Sequence, residues 1–514
     1  MADVAGLPHI LGEKLYLVLP TIVALLALII VPRVFAKDPL KHIPDVGQEL
    51  GSDEKRRQAF LMDSRHLYQE GYQKFKDGVF KLLTTRTTTP VVVVAPRYLN
   101  ELKKLPDDVL SFDAAIAETM HVKYTQIEPG NKSIPHAIKT SLTPSLPRLS
   151  PPLTDEARES FNMEMPPCDN WTPVNINRIL LRVVAMVSGR IFIGPDLCRS
   201  EEYLDAAINY TIEVMMARGE VDAMPAWKRP FLARSLPAVK RLEARIKQAH
   251  AFMQPVVEAR KRLPADQKPD DMLQWLMESQ QKFGDDNSVE KLARLQLGLS
   301  FAAIHTTTMT ATNAFYNLAA YPHLIPILRD EIVSVLSEHN GEMSAPALQA
   351  MKKLDSFLKE TLRFHPPGTG SFSRKVLKPF NLSSGEYIPK GVVIEVPAHA
   401  IARDPEVFVN PDEFDGLRFY NIRQEAREKG EAEAAAQNQF VSVSQSSLTF
   451  GYGRHACPGR FLAANEIKMI VATAVMMFDM KLEDGAEGRY ANFEFGGTSA
   501  PDPSKTLRFK RFAQ

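Results

Sequence analysis

Cysteine is scarce: the 514 residues hold three, Cys168, Cys198 and Cys457. So small and odd a set argues against a disulfide framework and for a reducing compartment. Net charge is nearly absent too, at +1, which removes any bulk electrostatic case for nucleic acid. No internal repeat and no low-complexity tract interrupts the chain. Charge also vanishes locally, since residues 295–327 contain no Asp, Glu, Lys or Arg. His305, Thr306, Thr307, Thr308, Thr310 and Thr312 make that stretch too polar for lipid. A long helix buried through the middle of a domain is the better reading. What remains is ordinary for a large folded protein: 45% hydrophobic, 24% charged, and 37 prolines that suit many ordered loops.

One long uncharged run stands near the N-terminus. Leu15 to Val31 is 17 residues without a charge. With Pro32 and the Val34-Phe35-Ala36 shoulder it can cross a thin bilayer, which takes roughly 17–25 residues. A cleaved signal peptide is the alternative, because Val34-Phe35-Ala36 resembles a small-residue cleavage site. Asp3 and Glu13 beside Lys14, however, stand where a basic n-region belongs. Arg33, Lys37 and Lys41 follow the run, and the positive-inside rule then places the rest of the chain in the cytosol. We therefore expect residues 1–36 to be a single-pass anchor in the endoplasmic reticulum membrane, 37–52 a Pro/Gly hinge, and 53–514 one cytosolic domain. Asn131, Asn170, Asn209 and Asn381 each open an Asn-x-Ser/Thr triplet. In the cytosol these stay bare, so their glycosylation state tests the topology.

Helical periodicity dominates the globular part, at 201–219, 236–262, 287–318, 324–338, 345–364 and 459–478. The β-branched run between Thr89 and Pro96 reads as a strand, and Ile388 to Val396 as a turn followed by a strand. These patterns predict a mostly α protein with small β-sheets. The charged stretch within residues 421–447 reads as a solvated surface excursion.

Chemistry concentrates in Phe450-Gly451-Tyr452-Gly453-Arg454-His455-Ala456-Cys457-Pro458-Gly459. One cysteine sits among turn-making glycines, directly ahead of an apolar helical segment. A lone thiolate on a tight loop is what haem iron takes as an axial ligand. The glycines let backbone amides turn toward the sulfur. In the uncharged helix, Ala302 and Ala303 let a flat group lie close. The Thr306 hydroxyl either bonds back to the carbonyl four residues earlier or opens toward iron-bound oxygen. Glu360 and Arg363, three apart in a largely apolar helix, are either an ordinary surface pair or a buried pair that needs a further partner such as Arg418. Arg374 is a basic side chain free to meet a carboxylate on a cofactor.

Taken in order, these segments resemble the cytochrome P-450 monooxygenase family. The cysteine loop is similar to its F-x-x-G-x-R-x-C-x-G signature. Glu360-x-x-Arg363 resembles its K-helix motif, Arg418 falls at its P-E-R-F arginine, and Ala302 to Thr307 resemble its oxygen-activation motif. The resemblance implies a triangular-prism fold with haem b between a long I helix and the cysteine loop and L helix. It implies Cys457 as the metal-binding thiolate, Phe450 as its shield, and Arg374 as a propionate ligand. Glu360, Arg363 and Arg418 become a structural triad, and Thr306 with His305 the candidates for proton delivery. Several positions depart from the family pattern. His455 replaces the signature arginine, His305 the I-helix acid, and Ala303 the glycine. The helix C pattern W-x-x-x-R is replaced by Pro135 and Lys139, with His136 beside them as a propionate candidate. The two histidine replacements resemble fungal members that oxidise diterpenoids, indole terpenoids, steroids and polyketides in secondary metabolism.

By family position, Phe112, Phe301, Ala302, Thr306, Gly370, Phe372 and Phe495 are pocket candidates for a bulky apolar substrate. No flavin or nicotinamide region follows the cysteine loop. The resemblance therefore implies electrons from NADPH through a separate cytochrome P-450 reductase, with cytochrome b5 as a further donor. A haem-thiolate isomerase or dehydratase that needs no reductase is the rival reading within the family. A non-catalytic haem-binding membrane protein is the rival from another class.

Overall fold

The computed structural model of the chain describes residues 38–512 and, before them, Ala24 alone. Apart from Ala24, the expected anchor at Leu15–Val31 lies outside the described residues. Among the described residues no helix is long and apolar enough to cross a membrane. Residues 38–44 form turns of their own, with the Ile43 amide bonded to the Leu40 carbonyl. From Asp45 onward the chain is one compact unit. Within it Asp45 bridges Lys81, and the Val46 amide bonds the Lys81 carbonyl, so the last part of the expected hinge is already tied to the domain.

Nine helices matter for the site. They are α1 (Asp53–Lys74), α2 (Thr143–Glu164), α3 (Ile176–Phe192), α4 (Glu201–Ala223), α5 (Pro237–Arg262), α6 (Val289–Ala320), α7 (Lys352–Phe364), α8 (Arg418–Glu428) and α9 (Arg460–Met477). At 32 residues, α6 runs about 48 Å. Ser288 caps its start by accepting from the Lys291 amide, and it stops one residue before Tyr321-Pro322. α6 packs on α3, α4, α5, α7 and α9, so the uncharged helix is the axis of the domain. Its neighbours supply one continuous core, in which Val184, Phe315, Leu358 and Ile470 are fully buried.

The larger sheet has β1 (Val79–Leu82), β2 (Val91–Val94), β3 (Leu110–Ser111), β4 (Ser371–Val376) and β5 (Val393–Val396), ordered β1-β2-β5-β4-β3. β2 and β5 run parallel and the other pairs antiparallel. β2 is four consecutive valines, all buried. β-Branched side chains favour the pleated backbone, and burying each contributes about 1.5–3 kcal/mol. A three-stranded sheet joins Thr172–Val174, Leu507–Arg511 and Phe478–Leu482. The hairpin Asn492–Pro501 stands apart from both sheets.

Three sequence expectations change. The predicted helix over 345–364 is two, Ala345–Ala350 and α7, broken at Met351. The segment 421–447 is not simply solvated. Arg423 and Phe440 are buried, Arg423 bonds Asp355, and the Lys359 ammonium of α7 donates to the carbonyls of Gln437 and Gln439. α2 was not visible in the periodicity, because Pro147, Pro151 and Pro152 lie inside it. Leu146, Leu153, Ala157 and Phe161 hold it against the core in spite of them.

Candidate active site

The cysteine loop is folded back on itself before α9 begins. The Cys457 amide donates to the Phe450 carbonyl at 2.7 Å, and the Gly451 amide to the Leu448 carbonyl at 2.8 Å. Gly451 and Gly453 have φ of 75° and 71°, the left-handed region that other residues adopt only with strain. A Cβ on Gly453 would also stand 2.9 Å from the Lys103 side chain. The amides of Gly459 and Arg460, at the start of α9, point at the Cys457 sulfur. Burial pushes the thiol pKa up, and those amides with the Arg460 charge pull it part of the way back. Phe450 packs against the core and meets Phe440 edge-on at 5.8 Å.

β4 runs beside this loop, tied to it by the Ser371 hydroxyl, which donates to the Leu448 carbonyl at 2.8 Å. The register of β4 against β5 slips between Ser371 and Arg374, and Phe372 sits in the slip with φ of 57°. That is an uncommon conformation for a bulky side chain. It is followed by Arg374, 5% exposed, whose guanidinium lies over the rings of Phe372 and Phe112 at 4.3 and 5.1 Å. Among the described residues the one side-chain hydrogen bond of Arg374 goes to the Ser373 carbonyl. Burial pushes its pKa down to about 10, with Asp107 and Asp113 too distant to bond.

His455 belongs to the same cluster. Its Nε2 lies 2.8 Å from Asp107 Oδ1, and its ring stacks on Phe112 at 5.5 Å. Arg454 also donates to Asp107, at 3.0 Å. Burial raises the Asp107 pKa, but His455 and Arg454 outweigh it and hold the carboxyl below its usual range. Asp107 had no signal in the sequence, because it shares no motif with the residue 348 positions away that it binds.

Behind the loop, Glu360 is fully buried and bidentate to Arg363, at 2.8 Å for both contacts. Arg418 Nε adds contacts of 3.1 and 3.2 Å to the two oxygens of Glu360. The remaining guanidinium nitrogens donate to carbonyls of Ala402, Pro411, Glu413, Val409 and Asn410. The expected third member of that set is therefore present.

From Leu295 onward α6 is exposed only at Ala302 and Thr306, one turn apart on one face. The Thr306 hydroxyl donates to the Ala302 carbonyl at 2.7 Å, which leaves its oxygen able to accept. His305 points elsewhere, its Nε2 lying 2.8 Å from the Ile208 carbonyl of α4.

The remaining sequence candidates scatter. His136 lies 3.4 Å from Lys282 and edge-on to Phe283, Lys139 is exposed, and neither contacts Arg374 or His455 in the described residues. Phe112 and Phe372 flank the Arg374 guanidinium. Phe301 meets Tyr210 edge-on at 6.4 Å. Gly370 leaves no room for a side chain, since a Cβ there would stand 2.8 Å from Glu395 and 3.1 Å from the Tyr68 hydroxyl. Phe495 is half exposed on the Asn492–Pro501 hairpin.

These features fit a haem. The loop offers a sulfur flanked by amide donors, a nearby buried guanidinium lacks a carboxylate partner, and α6 presents a bare face of small residues. Residues 138–507 match the family model for cytochrome P450. The cytochrome P450 monooxygenase ATR3 of Stachybotrys chlorohalonatus is 39% identical over 427 residues, 82% of this chain and 89% of that protein. The monooxygenase braC of Annulohypoxylon truncatum is 34% identical, covering 91% of this chain and 92% of its own. The monooxygenase paxP of Penicillium paxilli is 36% identical, covering 86% and 85%. Among solved structures, retinoic acid bound cyanobacterial CYP120A1 matches 89% of this chain and 96% of its own, with a TM-score of 0.66 at 17% identity. That last likeness concerns the fold alone.

Proposed function

The chain belongs to the cytochrome P450 family and is a monooxygenase of it; on that premise we propose that it inserts one oxygen atom of O2 into a bulky apolar substrate in fungal secondary metabolism. The substrate class is of terpenoid, steroid or polyketide type. Electrons come from NADPH through a separate reductase, with cytochrome b5 as a further donor. The Leu15–Val31 run anchors the chain in the endoplasmic reticulum membrane, followed by a hinge and a cytosolic catalytic domain. The relatives' names as monooxygenases favour this over the isomerase and the haem-carrier readings.

The haem-thiolate centre supplies the oxygen activation when bound. The chain's own residues hold and shield it. Cys457 is the ligand, with the Gly459 and Arg460 amides delocalising its charge and Phe450 covering the sulfur. Arg374 meets a propionate, and Phe112 and Phe372 fix the plane of its guanidinium. Thr306 presents the hydroxyl nearest the bare face of α6, where it can hold a proton-donating water. Glu360, Arg363 and Arg418 fix the segment behind the loop and take no part in chemistry.

The observation that carries this reading is the cysteine loop, whose backbone is folded so that amide donors converge on one sulfur. The test is the spectrum of the reduced protein with carbon monoxide. A Soret band at the thiolate-ligated position in wild type, lost in Cys457→Ala, is expected. Its survival in that variant overturns the assignment. NADPH consumption with added reductase, screened against terpenoids and steroids, then separates monooxygenation from isomerisation.

A further inference from the structure

α6 meets α4 along a stripe of residues one turn apart: Leu297, Phe301 and His305. Leu297 is buried with Tyr210, Val214 and Ala217 of α4 in one apolar cluster, and Phe301 packs against it. Apolar contact is non-directional and lets two helices slide. His305, the last member of the stripe, is different. Its Nε2 lies 2.8 Å from the Ile208 carbonyl, 97 residues away in sequence and in the body of α4. A carbonyl only accepts, so Nε2 carries the proton and the neutral tautomer is fixed. Burial lowers the His305 pKa, and the Ile208 bond raises it only in part. No carboxylate contributes to its electrostatics, so an imidazolium here would be a buried cation without a counter-ion. Thr306 is the next residue, turned about 100° around the helix, and its hydroxyl bonds within α6.

We propose that His305 is a positioning residue, a tether that holds α4 down on α6 beside the bare Ala302–Thr306 face and so sets how readily that side opens, and that it does not carry protons to Thr306. The inference rests on the monooxygenase reading only for what enters the opening. The tether is a property of the two helices.

Glutamine separates tether from relay. Its amide N–H can donate to a carbonyl, but it cannot titrate. Leucine matches the volume of histidine without a donor, and so controls for packing. The experiment compares wild type, His305→Gln and His305→Leu as full-length haem-loaded protein, by amide hydrogen exchange over residues 201–223. A net hydrogen bond of about 1 kcal/mol corresponds to roughly fivefold in an opening equilibrium. Exchange in α4 is expected to rise about fivefold in His305→Leu and to stay near wild type in His305→Gln. The dissociation rate of a bulky azole, followed by its nitrogen-ligand difference spectrum, is expected to rise in parallel. Unchanged exchange in His305→Leu overturns the tether. So does equal loss in both variants. Coupling of NADPH to product that collapses in His305→Gln while exchange stays at the wild-type rate returns the relay. A failed carbon monoxide spectrum in wild type overturns the haem-thiolate reading and leaves the exchange comparison standing.

Discussion

Two buried arginine sites lie close to the cysteine loop, and they are satisfied differently. Arg363 and Arg418 share Glu360, and their other nitrogens reach five backbone carbonyls. Arg374 is as deeply buried, yet makes one bond to a neighbouring carbonyl and sits between two aromatic faces. Burying a charge costs several kcal/mol unless partners compensate it. The first site is compensated from within the chain and is finished once the chain folds. The second has no carboxylate partner among the described residues, and a haem propionate would supply one under the proposed function. The contrast separates arginines whose partners lie within the fold from one whose proposed partner is a cofactor.

The sharpest break of that contrast is Glu360→Ala. It leaves two buried guanidiniums without their shared carboxylate, and removing one partner of such a pair costs about 3–5 kcal/mol. Urea unfolding should show that loss with and without haem. A change under about 1 kcal/mol would make the set no more than a surface pair and dissolve the comparison.

Glu466 of α9 extends the contrast to a buried acid with no cation partner among the described residues. It is 1% exposed, and the Ser188 hydroxyl donates to it at 2.8 Å. Burial pushes its pKa from the ordinary 4.5 up to about 8, against a small opposing pull from Ser188. Unfolding returns the carboxyl to its ordinary range, so above that range the unfolded chain releases a proton that the folded chain keeps. Stability is therefore full below about 4.5 and falls as pH climbs toward 8. Glu466→Gln should remove that slope, leaving stability equal to wild type at the acid end and higher by on the order of 4 kcal/mol at pH 8. Denaturation midpoints at several pH values check it. Parallel curves for the two proteins would mean that the carboxylate is charged in the fold.

Arg374→Gln addresses the open site directly. A charge-assisted hydrogen bond to a bound carboxylate is worth about 1.5–3 kcal/mol, so haem loss to an acceptor protein should accelerate roughly ten- to hundredfold. The haem-free protein buries this charge without a carboxylate partner, so there the variant should be at least as stable as wild type. If the haem-free protein loses as much as the loaded one, Arg374 is structural and the distinction between the two sites collapses.

What the sequence showed of this arrangement follows the range over which each feature is built. The cysteine loop was legible because its cysteine, glycines and amide donors lie within ten consecutive residues. Glu360 and Arg363 were legible because helical spacing alone makes them neighbours. β2 was legible because four valines in a row favour one backbone conformation. Partners set by tertiary packing were not. Asp107 reaches His455, Lys359 reaches the carbonyls of 437 and 439, and Ile208 reaches His305, each across more than seventy residues. α2 was hidden for the opposite reason, since its local propensity argues against a helix and only its buried face holds it. Gly370, a pocket candidate by family position, packs against Glu395 and Tyr68, neighbours that no local pattern reveals.

The smallest effect concerns His455, which stands where the family has an arginine. Its partner Asp107 is largely solvent-exposed and is shared with Arg454, and the His455 ring lies flat on Phe112. An exposed pair of this kind contributes about 0–1 kcal/mol. His455→Ala should therefore change the rate of haem loss by less than about fivefold, well below the change in Arg374→Gln. Arg454 keeps Asp107 occupied when His455 is gone, so only the double variant His455→Ala with Arg454→Ala releases that carboxylate. A single His455→Ala that loses haem as fast as Arg374→Gln would show that the histidine carries the propionate. It would move the division between fold-holding and cofactor-holding residues from one arginine to a histidine at the protein's edge.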